Sequence, residues 1–174
     1  MYYGGRAFPN ALAREGYAVL VHDAFLWGSR KVPLENMSDW EQSFANAPEG
    51  HDARPEGMAV EMIRYNNSAS VNEHTIAKYC NVLGTSFPGI VSHEDRVAVH
   101  YLASRRDVDG SRIGCMGLSG GGTRAVLLQG TCDRIRAAVS VGAMCTYAGL
   151  LDHNVACHTW MLFPPAWGRY GDWA

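Results

Sequence analysis

An α/β fold built on a parallel sheet is what this chain of 174 residues predicts. Three observations carry that expectation. The continuous apolar run Tyr17–Asp23 has the look of a buried strand of a parallel sheet, and Ile135–Val141 reads as a further strand. Segments with helical spacing separate the apolar runs, and strands alternating with helices imply crossover connections. Between 112 and 128 a short run, Arg112-Ile113-Gly114-Cys115-Met116, passes through Gly117-Leu118-Ser119-Gly120-Gly121 into the helical Thr123-Arg124-Ala125-Val126-Leu127-Leu128. Strand, sharp turn and helix follow one another without a spacer.

Residues 5–15 read as a helix with Ala7, Phe8, Ala11 and Leu12 on one face, stopped by Gly16. Tyr17–Asp23 reads as a buried strand closing on an acid. Residues 24–55 are loop-rich, with Pro33, Pro48 and Pro55. From Glu56 to Leu83 the spacing of Met58, Met62, Tyr65 and Ala69, then Ile76, Tyr79, Cys80 and Leu83, is helical. Asn66-Asn67-Ser68 weakens its middle, and Gly84 supplies the stop. The next helix starts at Ser92 as N-cap, with Asp95 as its capping-box partner, and runs through Val99 and Leu102 to about Arg106. Asp107–Gly110 is a turn. The helix after Ser119 ends near Gly130, Ile135–Val141 is the next strand, and residues 142–174 are irregular and aromatic, with Trp160, Phe163, Trp167, Tyr170 and Trp173. One domain accounts for the whole length.

Composition narrows the function classes. The chain is 47% apolar with a formal net charge of −2 and no Lys/Arg cluster, which argues against nucleic acid or an anionic membrane as the main partner. No apolar stretch approaches the ~20 residues that span a bilayer. Met1-Tyr2-Tyr3-Gly4-Gly5 lacks the layout of a signal peptide. The five cysteines, 80, 115, 132, 145 and 157, contain no Cys-x-x-Cys. Reduced thiols in a cytoplasmic protein are therefore expected. Oligomeric state has no signal here.

Gly117-Leu118-Ser119-Gly120-Gly121 carries the chemistry. A Gly-x-Ser-x-Gly between a strand and a helix is a nucleophile elbow: the serine sits in a strained conformation that lifts its Oγ clear of the sheet. Gly117 and Gly121 let the strand and helix backbones approach, and Gly122 adds a third bare position. The Gly120 N–H opens the helix and points where an oxyanion would form, aided by the helix dipole. Ser119 is the expected nucleophile and needs a His to take its proton and a carboxylate to orient that His. No cofactor is required.

Several polar residues have simpler readings. His22 and Asp23 close their strand at the edge where open α/β sheets place ligands. Asp23 is read as holding its loop through Arg30 or Arg124, and His22 as a candidate pocket residue. His93, Glu94 and Asp95 belong to a helix start and not to a metal site. Cys157-His158 has no partners at zinc-finger spacing. His51, His74 and His100 read as helix or loop residues. The aromatic tail 160–173 reads either as a substrate-facing wall or as ordinary packing.

Tyr17–Asp23, Gly28-Ser29-Arg30, Asp95-Arg96 with Tyr101-Leu102, Asp109-Gly110-Ser111-Arg112-Ile113-Gly114 and the Gly117–Gly121 elbow together resemble the α/β-hydrolase superfamily. The likeness is nearest to its branch of dienelactone hydrolases, acetylxylan esterases and prolyl-oligopeptidase-type peptidases. It covers about residues 5 to 145 and is specific at the elbow. The resemblance implies that 5–15 is the first major helix of that fold, 17–23 its fourth strand, 111–118 its fifth and 135–141 its sixth. It also implies strands one to three before Met1 and strands seven and eight, with the triad acid and His, after Ala174, so that the chain is expected to be an internal piece of a hydrolase. Without strand three, strands four and five would lie roughly 9–10 Å apart, too far to hydrogen-bond.

The superfamily order is Ser, acid, His. Downstream of Ser119 stand Asp152, His153, His158 and Asp172. Asp152 with His158 fits the order but falls too early, so these residues are expected to line or cap the pocket, and Asp172 to be a surface or linker residue. The expected function is hydrolysis of a small-molecule carboxylic ester through an acyl-enzyme. A prolyl-oligopeptidase-type peptidase would instead carry propeller repeats upstream, and a binding module that keeps the scaffold would lack a reactive serine.

Overall fold

The computed structural model describes residues 6–46, 58–153, 155–156 and 158–173. Among them the architecture is mixed α/β, with helices α1 (Phe8–Arg14), α2 (Asp39–Ser43), α3 (Val60–Val82) and α4 (Phe87–Ser104), strand β1 (Ile113–Leu118), helix α5 (Gly120–Thr131), strand β2 (Ile135–Val141) and helix α6 (Tyr147–His153). The chain divides into two compact units, the first ending at Asn72 and the second beginning at Glu73.

In the first unit α1 ends at Arg14 with Glu15 as its C-cap, and Gly16 follows at a φ of 90° that suits a residue without Cβ. The segment that follows corrects the sequence reading. Tyr17–Asp23 forms no strand, and Tyr17, Val19, Leu20 and Val21 are exposed, Val21 by 68%. A strand exists only through the ladder that pairs its N–H and C=O groups. No described segment offers that ladder to residues 17–23, so composition alone does not make the strand. The loop-rich stretch holds short 3₁₀ turns at Gly28–Arg30, Leu34–Asn36 and Phe44–Asn46. It also holds α2, opened by a capping box in which Ser38 Oγ accepts from Glu41 N–H while the Glu41 carboxylate accepts from Ser38 N–H. Pro48, His51 and Pro55 lie outside the described residues.

Helix α3 runs unbroken through Asn66-Asn67-Ser68, where a weak point is expected. The polar side chains are used by carbonyls of α2 and the 3₁₀ turn after it: Asn67 Nδ2 donates to Ala45 C=O at 3.2 Å and Ser68 Oγ to Glu41 C=O at 3.0 Å. Tyr65, Ala69 and Met37 form the small core of this unit, with Val32 and Leu34 against it. Gly84, at φ 76°, stops the helix.

In the second unit the N-cap of α4 stands six residues before the expected Ser92. Ser86 is its N-cap, accepting from Gly89 N–H, and Pro88 occupies the first turn. Asp95 is thus a buried mid-helix residue and not a capping-box partner. β1 and β2 pair in parallel, from Gly114 opposite Ala137 to Leu118 opposite Val141, with an irregularity between Ile113 and Gly114. Helix α5 packs on both strands and α4 packs on α5. The core of this layer is Val99, Ile113, Leu128, Cys132 and Ile135. These contacts join the start of β1 and β2 to the C-terminal end of α5.

Candidate active site

Ser119 is the single residue between β1 and α5, exposed, with φ 54° and ψ −121°. A residue with a Cβ scarcely visits this combination, and it persists only where the surroundings over-determine it. Two hydrogen bonds do so. Ser119 N–H donates to Val141 C=O at 2.7 Å, tying the turn to β2, and Thr123 N–H donates to Ser119 C=O at 3.1 Å, tying it to α5. Gly120 N–H, first in the helix, donates to no group among the described residues and stands at the positive end of the α5 dipole.

The glycines around the turn are not equivalent. A Cβ on Gly117 would overlap the Gly121 carbonyl and lie 2.7 Å from Gly122 N. Gly121 corrects the sequence reading, since a Cβ there would meet nothing within 4 Å. The crowded helical position is Gly122, where a Cβ would stand 2.8 Å from Ala143 Cβ and 2.9 Å from Ser140 Oγ. Gly121 matters through its backbone, which Gly117 approaches.

Helix α5 is anchored by an ion pair. Arg124 Nε and a terminal nitrogen meet the two carboxylate oxygens of buried Asp95 at 3.1 and 2.5 Å, a bidentate fork. Of the two arginines considered for Asp23, Arg124 therefore has another partner. Asp23 accepts instead from Ser29 N–H at 2.9 Å, and that bond, more than nearby His22 and Arg30, holds its carboxyl below the ordinary value. His22 and Asp23 belong to the first unit and stand on the segment that forms no strand, so the argument from a strand end does not apply to them.

Beyond β2, the 3₁₀ turn Trp160–Leu162 packs against α4 and α5. The methyl of Thr159, its N-cap, comes within 3.9 Å of where a Gly120 Cβ would be. Glu73, 7% exposed, accepts at one carboxylate oxygen from Thr159 Oγ1 at 2.5 Å and from Trp160 N–H at 2.7 Å. Burial pushes the Glu73 carboxyl up, against the opposing pull of these two bonds and of His74. The Trp160 indole N–H donates to His74 Nδ1 at 2.8 Å. The reading of His74 as a plain helix residue missed this bond, and nothing local marks Glu73: its partners lie 86 and 87 residues away.

His158 precedes Thr159 and is half-buried, and no hydrogen bond joins it to exposed Asp152. Among the described residues no side chain hydrogen-bonds Ser119 Oγ. Asp172 is exposed yet structural, accepting from Tyr147 N–H at the start of α6 at 2.7 Å and from Trp173 N–H at 2.8 Å. Trp173 is buried, stacked on Trp167 with centroids 5.5 Å apart, which makes this end of the aromatic tail ordinary packing.

No family model matches the chain, and no curated protein or solved structure matches it.

Of the cysteines, 80, 115, 132 and 145 are free, and burial pushes the Cys115 thiol up to about 11. Cys157 lies outside the described residues. Among those residues no cluster of His, Cys, Asp and Glu could hold a metal, and no helix is long and apolar enough to cross a membrane.

Proposed function

We propose that Ser119 is the nucleophile of a serine hydrolase acting on carboxylic esters, carried on an α/β-hydrolase-like scaffold. The observation that supports it is an exposed serine held at φ 54° between a strand and a helix, beside an N–H with no partner among the described residues. A backbone costs about 1–3 kcal/mol to hold in such a region, and strain of this kind clusters where a side chain must be aimed. Ser119 Oγ attacks the ester carbonyl carbon and passes its proton to a His. The carbonyl oxygen becomes an oxyanion, to which Gly120 N–H donates. Collapse expels the alcohol, and water then releases the acid from the acyl-enzyme.

The His and its carboxylate act with the serine as a unit, and no described imidazole hydrogen-bonds Ser119 Oγ. The reading therefore requires both to be brought to Ser119 from beyond the contacts described. The whole gene product is expected to hydrolyse p-nitrophenyl acetate, with Ser119→Ala lowering kcat on the order of 10⁵-fold. The 174 residues expressed by themselves are expected to show little turnover. An unchanged rate in Ser119→Ala would overturn the nucleophile. Rapid Ser119-dependent turnover by the 174 residues alone would contradict the need for a base from elsewhere.

A further inference from the structure

We propose that Thr159, held by the buried Glu73, sets how bulky a group can lie beside Gly120, and that Glu73 is its positioning residue. The inference rests on the reading of Ser119 as nucleophile and Gly120 as oxyanion donor. Three hydrogen bonds determine where the Thr159 side chain stands. Its Oγ1 donates to Glu73 at 2.5 Å and accepts from Met161 N–H at 3.3 Å, while the same Glu73 oxygen accepts from Trp160 N–H at 2.7 Å. With Oγ1 held from both sides, χ1 has one choice, and the β-branch puts Cγ2 opposite Gly120.

The base of this arrangement is rigid. Met161 and Leu162, two and three residues after Thr159, are buried, and the Trp160 ring is fixed by His74 on one edge and by Phe163, with centroids 6.4 Å apart, on the other. A carboxylate shielded from water makes strong charge-assisted bonds, so removing it leaves two donors unpaired and the wall free to move. One methyl group against the oxyanion residue is then a steric gate, and its effect falls on bulky substituents more than on small ones.

The test uses the whole gene product and two fluorophosphonates, one with a methyl and one with a bulky branched substituent, and compares second-order rates of Ser119 labelling. Thr159→Ser keeps both Oγ bonds and removes only the methyl. It is expected to raise the bulky-to-small rate ratio about tenfold, the discrimination that a group of this size gives. Glu73→Ala is expected to raise the ratio in the same direction. Glu73→Gln, whose amide oxygen accepts both bonds, is expected to restore the ratio of the unaltered protein. Should Glu73→Ala fail to fold, Thr159→Ser decides alone. Equal ratios in the unaltered protein and Thr159→Ser would overturn the inference and leave the nucleophile standing. No labelling of the unaltered gene product at Ser119 would overturn both.

Discussion

The two faces of the β1–β2 sheet are built to different standards. On one face Cys115 and Gly117 lie under α5, with Cys115 Sγ 3.5 Å from Ala125 C=O and Gly117 in contact with the helix backbone. On the other face Met116, Val139 and Val141 alternate with them and are 45%, 51% and 48% exposed. The contrast shows where the chain has no freedom. Ser119 keeps its strained conformation because the covered face fixes the end of β1 and the start of α5 to within the size of one methyl group. The bare face has the apolar composition of a parallel sheet, but it imposes nothing on the turn.

Substitutions should separate the faces sharply. The largest effect is expected from Gly117→Ala, which drives a methyl into the Gly121 carbonyl and should cost about 3 kcal/mol or more in urea unfolding. Gly121→Ala, at the helix position with open space, should be neutral or stabilise by up to about 1 kcal/mol. If the two alanines cost the same, the asymmetry at the elbow is not as described. The smallest effect is expected from Val139→Lys on the bare face, within about 0.5 kcal/mol in the 174-residue chain. A loss of about 2 kcal/mol or more there would mean that this face is covered.

The stretch from 113 to 141 was legible because its signals are local. An apolar run, a glycine-flanked serine and helical spacing follow each other directly, and β2 has the predicted bounds of Ile135–Val141. Tyr17–Asp23 has the same apolar composition, but a strand depends on a partner, and the run itself does not name one. Local signals were also overlooked. Ser86 with Pro88 marks the start of α4, and Ser38 with Glu41 marks α2. Asp95 has the look of a cap because it follows Ser92 by three, yet its partner, Arg124, lies 29 residues on. Around the candidate site the serine and its glycines were readable, whereas Glu73 and Thr159 meet across 86 residues and carry no sign of each other.

Locating the covalent adduct tests the central claim most directly. The whole gene product would be treated with a fluorophosphonate, digested, and the modified residue read by tandem mass spectrometry. A phosphonyl group on Ser119, abolished by denaturing the protein first, is the predicted result. A well-folded protein that stays unmodified, or carries the group on another residue, would contradict it.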